Sequence, residues 1–259
     1  MIKGNYANIP IIDRASDVID YVSEYPMGVS ASTLLRKFNI PKTTLYRILA
    51  SLELHGFLKS SAESGLYYIG NKFAHISRVR DEQLQILKQI SHPHLIALEN
   101  EVKETVKISI LSKNSCFVID KVESTQQIKI SVEMGSTFPL HAGAASKILL
   151  SSLPVRDIER YFEKPVEQYT RLTITEYSSM MRELDTIKEQ GYSVDSGEYI
   201  DSICAVASPV LDPSGNIIAA VSIAYTYLFF NNELLKHYVL ALKHYTKCIA
   251  DDFKALSSI

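Results

Sequence analysis

The chain is poor in the residues and motifs on which cross-links and many enzymatic sites depend. Its 259 residues include three cysteines, Cys116, Cys204 and Cys248, which lie far apart and form no CxxC pair. An odd number of widely spaced cysteines argues against a disulfide framework and against a zinc site. The sequence also lacks GxGxxG, P-loop and HExxH motifs. We therefore expect no metal and no cofactor.

Long apolar runs are absent as well. No run approaches the 18 residues that a transmembrane helix requires, and residues 1–20 lack the basic stretch and apolar core of a secretory signal. Apolar residues make up 46% of the chain and charged residues 22%, which is typical of soluble globular proteins. The sequence thus predicts a cytoplasmic protein without a membrane partner, with one large or two ordinary domains.

Charge is divided unevenly along the chain. Residues 1–80 contain 10 basic and 6 acidic side chains, whereas residues 81–259 contain 17 basic and 23 acidic ones. A basic N-terminal module joined to an acidic body favours a nucleic-acid-binding protein with a separate sensor.

The first 70 residues show the pattern of a winged helix-turn-helix. Helices are expected at residues 13–25, after a capping Ser30, and from Pro41 onward. Gly56 ends the third helix, and residues 57–59 and 66–69 are predicted to form a hairpin. Four apolar residues recur at helical spacing and should form the buried face of the third helix: Leu45, Ile48, Leu49 and Leu52.

The remaining chain predicts an α+β domain with a mostly antiparallel sheet over residues 83–259, preceded by a linker helix at 71–82. Pro93 should kink or divide a helical stretch at 83–101. Strands are expected at residues 106–111, 116–122, 128–132, 203–211 and 217–227, the last two joined by a turn at 212–216. Helices are expected at residues 139–150, 155–163, 176–190 (ended by Gly191) and 232–256.

The exposed face of the third helix has the side chains of a DNA recognition helix. Lys42, Thr43, Tyr46 and Arg47 lie in its first two turns, where they can reach phosphates and base edges of double-stranded DNA. Arg14 is placed to reach phosphate, and Tyr67 in the wing would lie along the DNA backbone. Two alternatives remain open: the domain could make protein contacts instead, and Tyr46 could be a packing residue.

Several motifs in order make the chain similar to the IclR family of bacterial regulators, over residues 11–249. The segments that resemble the family pattern are Ile40-Pro41-Lys42-Thr43-Thr44-Leu45-Tyr46-Arg47-Ile48-Leu49, Pro139-Leu140-His141-Ala142, Lys147, Gly191-Tyr192-Ser193-Val194-Asp195, Glu198-Tyr199, Cys204-Ala205-Val206-Ala207-Ser208-Pro209-Val210 and Ala219-Ala220-Val221-Ser222-Ile223. The resemblance adds Thr44 to the DNA-binding residues. It implies a repressor of a catabolic operon that binds palindromic operators as a dimer or tetramer.

The resemblance further implies a GAF-like C-terminal domain that binds a small organic acid. By motif match, its pocket should be lined by Ala144, Ala145, Asp195, Cys204 and Ser222. Backbone N–H groups at a helix start near Ala144 form an anion site, so we expect a carboxylate. An ionised Asp195 accepts hydrogen bonds only and would need a ligand hydroxyl, which favours a sugar-acid-like effector. The chain departs from the family pattern at Ala224, where serine is common, and by a loop between Asp195 and Cys204 that is one residue shorter.

Two other functions are compatible with the sequence. A cysteine hydrolase could use Cys204, His141 and Asp195, but Cys204 begins an apolar strand rather than an exposed helix N-terminus, so we expect no enzyme. A regulator without a ligand, whose C-terminal domain only oligomerises, is the second alternative. His92 and His94 flank Pro93 without a third ligand at a metal-like spacing.

Overall fold

The computed structural model describes residues 10–226 and 231–256, and within them the side chains of residues 77–82 are not described. The chain divides into two compact units, one up to Gln83 and one from Leu84. The outer ends of the two predicted domains, residues 1–9 and 257–259, lie outside the described residues, as does Tyr227 at the end of a predicted strand. In the described part of the chain, no helix has both the length and the apolar character needed to cross a membrane.

The first unit contains three helices and a small sheet, as the sequence predicted. Its elements are α1 (Pro10–Ser23), β1 (Val29–Ser30), α2 (Ala31–Phe38), α3 (Lys42–Leu54), β2 (Leu58–Ser60) and β3 (Leu66–Ile69). The antiparallel sheet has the order β1-β3-β2. A single core joins α1, α2 and α3 to the sheet through Val18, Leu34, Leu49 and Leu58. Strand β1 was not predicted, since two residues are too few to show a period.

Local signals set the ends of these helices. The Ser30 hydroxyl accepts the Thr33 N–H at 3.2 Å, so Ser30 caps α2 as predicted. Asn39 ends α2 in the left-handed conformation with φ of 47°, and its N–H donates to Leu35. Pro41 is the N-cap of α3 rather than its first helical residue. The turn between α2 and α3 is therefore tight, which is what a helix-turn-helix requires.

One long helix, α4 (Lys72–Val102), replaces the two helices that the sequence suggested. The sequence left open whether Pro93 kinks or divides this stretch, and the structure shows that it does not divide it. Pro93 is exposed, whereas Leu95 and Leu98 are fully buried against the second unit's core. Because the proline ring faces solvent, packing on the opposite side keeps the chain helical despite the missing hydrogen bond.

The second unit is built on a six-stranded sheet with the order β6-β5-β4-β9-β8-β7, in which every pair is antiparallel. This confirms the α+β prediction. Its elements are β4 (Thr105–Ser112), β5 (Ser115–Val122), β6 (Thr137–Pro139), α5 (Ala144–Ser151), α6 (Val155–Phe162), α7 (Tyr177–Gln190), β7 (Ser193–Asp195), β8 (Ile203–Leu211), β9 (Ile217–Thr226) and α8 (Asn232–Leu256).

Both faces of this sheet are covered. On one face α4 and α8 pack against residues such as Val106, Val206 and Val221. On the other face α5 and α7 pack against Ala207 and Ala220. Since side chains alternate along a strand, polar residues that share a face with Ala207 are enclosed rather than exposed to solvent.

Two sequence predictions in this unit need correction. Residues 128–132 form no strand, although Ile130 and Val132 are half-buried. Their alternation reflects an extended segment beside a cavity, and Ile128 is 84% exposed. The helix expected at 139–150 begins only at Ala144, because Pro139 belongs to β6 and pairs with Ser115.

Candidate DNA interface and ligand cavity

The exposed face of α3 has the side chains that the sequence assigned to DNA contact. Leu45, Ile48, Leu49 and Leu52 are buried, whereas Lys42, Thr43, Tyr46 and Arg47 are exposed. The Lys42 ammonium lies 5.8 Å from the centre of the Tyr46 ring, and Tyr46 is 45% exposed. The structure therefore brings a cation, a hydroxyl and a guanidinium together at the N-terminal end of one helix.

The other three residues assigned to DNA occupy different environments. Arg14 is exposed on α1. Thr44 is half-buried and lines a groove between α1 and α3 together with Ile11 and Arg47. Tyr67 is half-buried in β3 and packs against the core of the unit, and this burial raises the pKa of its hydroxyl. Thr44 and Tyr67 thus contribute to packing as well as to the surface.

A cavity of about 270 Å³ lies in the second unit between the sheet and the start of α5. Four of the five predicted effector residues line it: Ala144, Ala145, Asp195 and Ser222. The rest of its wall is mainly apolar and includes Ile130, Val132, Phe138, Ile200 and Ile203. This is the composition of small-molecule sites in general, an apolar wall with a few polar groups.

The N-terminus of α5 opens into this cavity. Gly143 precedes the helix with φ of 104°, a conformation that disfavours side chains, and it makes no side-chain cap. The N–H groups of Ala144, Ala145 and Ser146 have no hydrogen-bond acceptor among the described residues. Unsatisfied N–H groups at a helix start carry partial positive charge and bind anions.

Ser222 lies on β9 beneath this helix end. It is 1% exposed, and its hydroxyl has no hydrogen-bond partner in the part of the chain that the structure describes. A buried hydroxyl without a partner costs about 1–3 kcal/mol of stability. A ligand that accepts this hydrogen bond would recover that free energy.

Asp195 shapes the wall rather than pointing freely into the cavity. Its Oδ1 accepts the N–H groups of Gly197 at 2.9 Å and Glu198 at 2.6 Å, which fixes the loop after β7. Burial raises the pKa of this carboxyl, and the two backbone N–H groups together with Lys147 partly offset that effect. Only Oδ2, about 4 Å from the position of a Cβ at Gly143, is left to face a ligand.

Lys147 ties α5 to the same loop. Its fully buried ammonium donates to Glu183 Oε1 and the Val194 carbonyl, both at 2.7 Å, and to Glu198 Oε1 at 2.5 Å. Burial alone would lower the pKa of Lys147, but Glu198 and Glu183 outweigh it and raise that pKa. Burial also raises the pKa of Glu198 to about 7, and its Oε2 has no partner among the described residues. The motif lysine is therefore structural.

Lys107 is the functional candidate that sequence reasoning missed. It lies on β4 directly opposite Ser222 on β9 and lines the cavity. Its alternation with Val106 and Ile108 predicted a strand but gave no sign that Lys107 lines a cavity. That face is covered by α5, which only the tertiary structure shows.

The sequence predicted that Cys204 lines the effector pocket, and this prediction was wrong. Cys204 packs in the core on the α8 face of the sheet, whereas its neighbour Ala205 lines the cavity, because adjacent strand residues face opposite ways. Burial raises the pKa of its thiol to about 11. Such a thiol is a poor nucleophile at neutral pH.

His141 is engaged on both ring nitrogens. Its Nε2 donates to the Glu167 carbonyl at 2.8 Å, so its Nδ1 accepts the Tyr161 hydroxyl at 2.9 Å. Burial lowers the pKa of His141 and favours this neutral form. Cys204, His141 and Asp195 are therefore not arranged as a nucleophile with its base. His92 and His94 instead pair separately with Asp120 at 2.7 Å and Asp252 at 2.8 Å.

A winged helix-turn-helix with an exposed basic recognition helix, followed by an α+β unit with a ligand-sized cavity, defines a one-component transcriptional regulator. Two family descriptions match the chain: the IclR helix-turn-helix domain over residues 11–62, and the C-terminal domain of bacterial IclR transcriptional regulators over residues 82–250. The chain belongs to the IclR family, whose C-terminal domain binds effectors.

Named relatives agree with this assignment. The chain is 31% identical over 198 residues to the HTH-type transcriptional regulator KipR of Bacillus subtilis, covering 76% of this chain and 78% of that protein. It is 27% identical over 214 residues to the HTH-type transcriptional repressor AllR of Klebsiella pneumoniae, covering 82% and 78%. The crystal structure of the Thermotoga maritima IclR matches 95% of this chain and 100% of that one, with a TM-score of 0.62 and 27% identity.

Proposed function

We propose that this regulator represses a catabolic operon and that a small organic acid, bound in the C-terminal cavity, changes its affinity for DNA. It acts in the cytoplasm, where the DNA of a bacterial cell lies. The similarity to a named repressor, AllR, supports repression rather than activation.

We propose that the DNA partner is a palindromic operator read by a dimer or tetramer. A single recognition helix reads one half-site, so two copies are needed for both halves. Lys42, Thr43, Tyr46 and Arg47 would contact DNA from α3, because they are exposed at the end of the helix that enters the major groove. Arg14 would contact phosphate, with Thr44 and Tyr67 supporting the surface.

One observation supports an acid above all: the uncapped N-terminus of α5 and the unpartnered hydroxyl of Ser222 face the same cavity. Both are hydrogen-bond donors that find no acceptor in the described part of the chain, and a carboxylate offers acceptors for both. Ala144 and Ala145 contribute through their N–H groups, since their side chains are only methyl groups.

The lining argues for an acid with a mainly apolar body. Asp195 Oδ1 is already used by two backbone N–H groups, so a ligand hydroxyl could be received only at Oδ2. Most of the remaining wall consists of aliphatic and aromatic side chains, including Ile130, Phe138 and Ile203. We therefore favour an acid with at most one hydroxyl over the sugar-acid-like effector that the sequence suggested.

The substitution Ser222→Ala tests the effector site directly. It removes a buried hydroxyl that has no partner among the described residues, so the ligand-free variant should be more stable than the wild type by about 1 kcal/mol. The same variant should bind carboxylates more weakly. Thermal melting without ligand and calorimetry with a panel of carboxylates measure the two effects.

Ser208→Ala is the matched control, because Ser208 is a buried serine on β8 whose hydroxyl donates to the Gly191 carbonyl at 3.3 Å. It should lower stability and leave acid binding unchanged. If no carboxylate binds the wild type, the C-terminal unit is not an acid sensor, and the oligomerisation role becomes the better account.

A further inference from the structure

The cavity wall contains one ammonium group, that of Lys107, which forms no salt bridge with the residues that the structure describes. Lys107 is half-buried. Its Nζ lies 4.2 Å from the centre of the Phe138 ring, so the ring face holds the cation in place. Burial lowers the pKa of Lys107, while Cys116 and Asp195 act in the opposite direction. The neighbouring protein groups thus leave this charge incompletely compensated.

The position of Lys107 relative to the other donors is set by the sheet. Lys107 and Ser222 are direct partners in the β4–β9 ladder, so their side chains leave the sheet on the same face, towards the start of α5. In antiparallel sheets, directly opposed residues have Cβ atoms about 4.5–5.5 Å apart. The hydroxyl, the ammonium and the free N–H groups of α5 therefore border one space.

Lys107 is also the only basic residue in the cavity wall, as far as the structure describes it, whereas Asp195 and Glu133 are acidic. A ligand with one negative charge would be matched by Lys107. A second negative charge on the ligand would find no second basic residue in the described wall and would be repelled by the carboxylates of Asp195 and Glu133.

We propose that Lys107 is the counter-charge of the effector's carboxylate and makes the cavity selective for monoanionic acids with an apolar body. This inference rests on the proposed function, since it names the ligand class of the same site. Lys107 determines specificity, whereas the N–H groups of α5 and the Ser222 hydroxyl supply hydrogen bonds that a neutral amide oxygen could also accept.

The test uses the full-length protein and three acids, benzoate, phenylacetate and isovalerate, each paired with its own amide. Calorimetry is done on the wild type, on Lys107→Met and on Lys188→Met, which removes an exposed lysine from α7 as a matched control. Methionine keeps the length of the side chain and can pack on Phe138, and circular dichroism checks that each variant is folded.

In the wild type and in Lys188→Met, at least one acid should bind ten times more tightly than its amide. In Lys107→Met this preference should vanish because the acid binds more weakly, while the affinity for the amide stays within about twofold of the wild-type value. Acid preference that survives in folded Lys107→Met overturns the inference and leaves the proposed function standing. Failure of every acid to bind the wild type overturns both.

A second measurement needs no variant, so the test survives if Lys107→Met does not fold. Monomethyl phthalate and phthalate differ by one methyl group, but the first is a monoanion and the second a dianion at pH 8. The wild type should bind the monoanion at least ten times more tightly. Equal affinity, or tighter binding of phthalate, contradicts the inference.

Discussion

At the residue scale, Arg47 is the side chain on which DNA recognition most depends in this account. It is exposed on α3 beside a groove lined by Thr44 and Ser51, and the opposite face of the helix is buried. Replacing it by alanine leaves the core intact while removing a guanidinium that can contact guanine or phosphate.

We expect Arg47→Ala to weaken operator binding by about 1–3 kcal/mol. If the contact is to phosphate, the salt dependence of binding should also become shallower. Gel-shift titrations at several salt concentrations measure both effects. Arg156→Ala, which removes an exposed arginine of the other unit, is the control and should change neither. Unchanged affinity in Arg47→Ala would remove this residue from the interface.

The buried pair of Lys147 and Glu198 predicts a pH effect on folding. Burial raises the pKa of Glu198 from its ordinary 4.5 to about 7. Between these values the folded protein keeps a proton that the unfolded chain has lost, so the contribution of Glu198 to stability falls as pH rises. Above the folded pKa this contribution no longer changes with pH.

The variant Glu198→Gln cannot titrate and should lack this fall. Urea unfolding at several pH values from about 4.5 to about 7 should show wild-type stability decreasing relative to the variant. The control, Glu189→Gln, changes an exposed glutamate on α7, and its stability should change with pH as that of the wild type does. If the stability of Glu198→Gln shows the same pH dependence as that of the wild type, burial does not keep the Glu198 carboxyl protonated.

At the scale of elements, α4 contains a residue that its own propensity disfavours. A proline inside a helix removes one hydrogen bond and costs about 3 kcal/mol relative to alanine. Pro93 is tolerated because it is exposed and the buried residues Leu95 and Leu98 anchor the helix.

We therefore expect Pro93→Ala to stabilise the protein by about 1–3 kcal/mol, since the N–H that it restores can bond within the helix. Urea unfolding measures the change, and Asn100→Ala at another exposed position of α4 should have an effect of only a few tenths of a kcal/mol. A loss of stability in Pro93→Ala would mean that the proline geometry itself is needed.

Elements with strong local signals could be predicted from the sequence. The cap at Ser30, the left-handed Gly191 at the end of α7 and the turn at residues 212–216 all appear in the structure. Strands β1, β6 and β7 have three residues or fewer, which is too short for a period to be recognised. Strand β2 is equally short, but it could be predicted from the turn residues that border it, Gly56 and the polar loop at residues 60–65. The effect of Pro93 on the helical stretch at residues 83–101 was overestimated, because tertiary packing outweighed helix propensity.

The site was only partly predictable for a related reason. Ala144, Ala145, Asp195 and Ser222 followed from family motifs and do line one cavity. To predict the environments of Cys204 and Lys107, one must know which face of each strand packs against α5. When both faces of a strand are covered, its sequence does not show which face that is. Lys107 was therefore not recognised as a cavity residue, and Cys204 was placed on the wrong face.

At the scale of the whole molecule, regulation by an effector requires coupling between the two units, which differ in charge. The unit up to Gln83 has 10 basic and 8 acidic residues, a net charge of +2, and the unit from Leu84 has 17 basic and 21 acidic residues, a net charge of −4. The basic unit suits DNA, and the acidic unit limits non-specific DNA contacts outside the recognition helix. An acid that binds the second unit can change DNA affinity only if its own affinity differs between the free and the DNA-bound protein.

The most direct test of this coupling is the affinity of the full-length protein for an operator fragment, measured by fluorescence anisotropy with and without a saturating acid. The fragment is selected by the protein from the genomic DNA of its source, and the acid is the one that raises the melting temperature most. We predict that the acid changes the apparent dissociation constant about 5- to 150-fold, a coupling of about 1–3 kcal/mol. An unchanged dissociation constant, with the acid shown by its melting shift to be bound, would contradict the account.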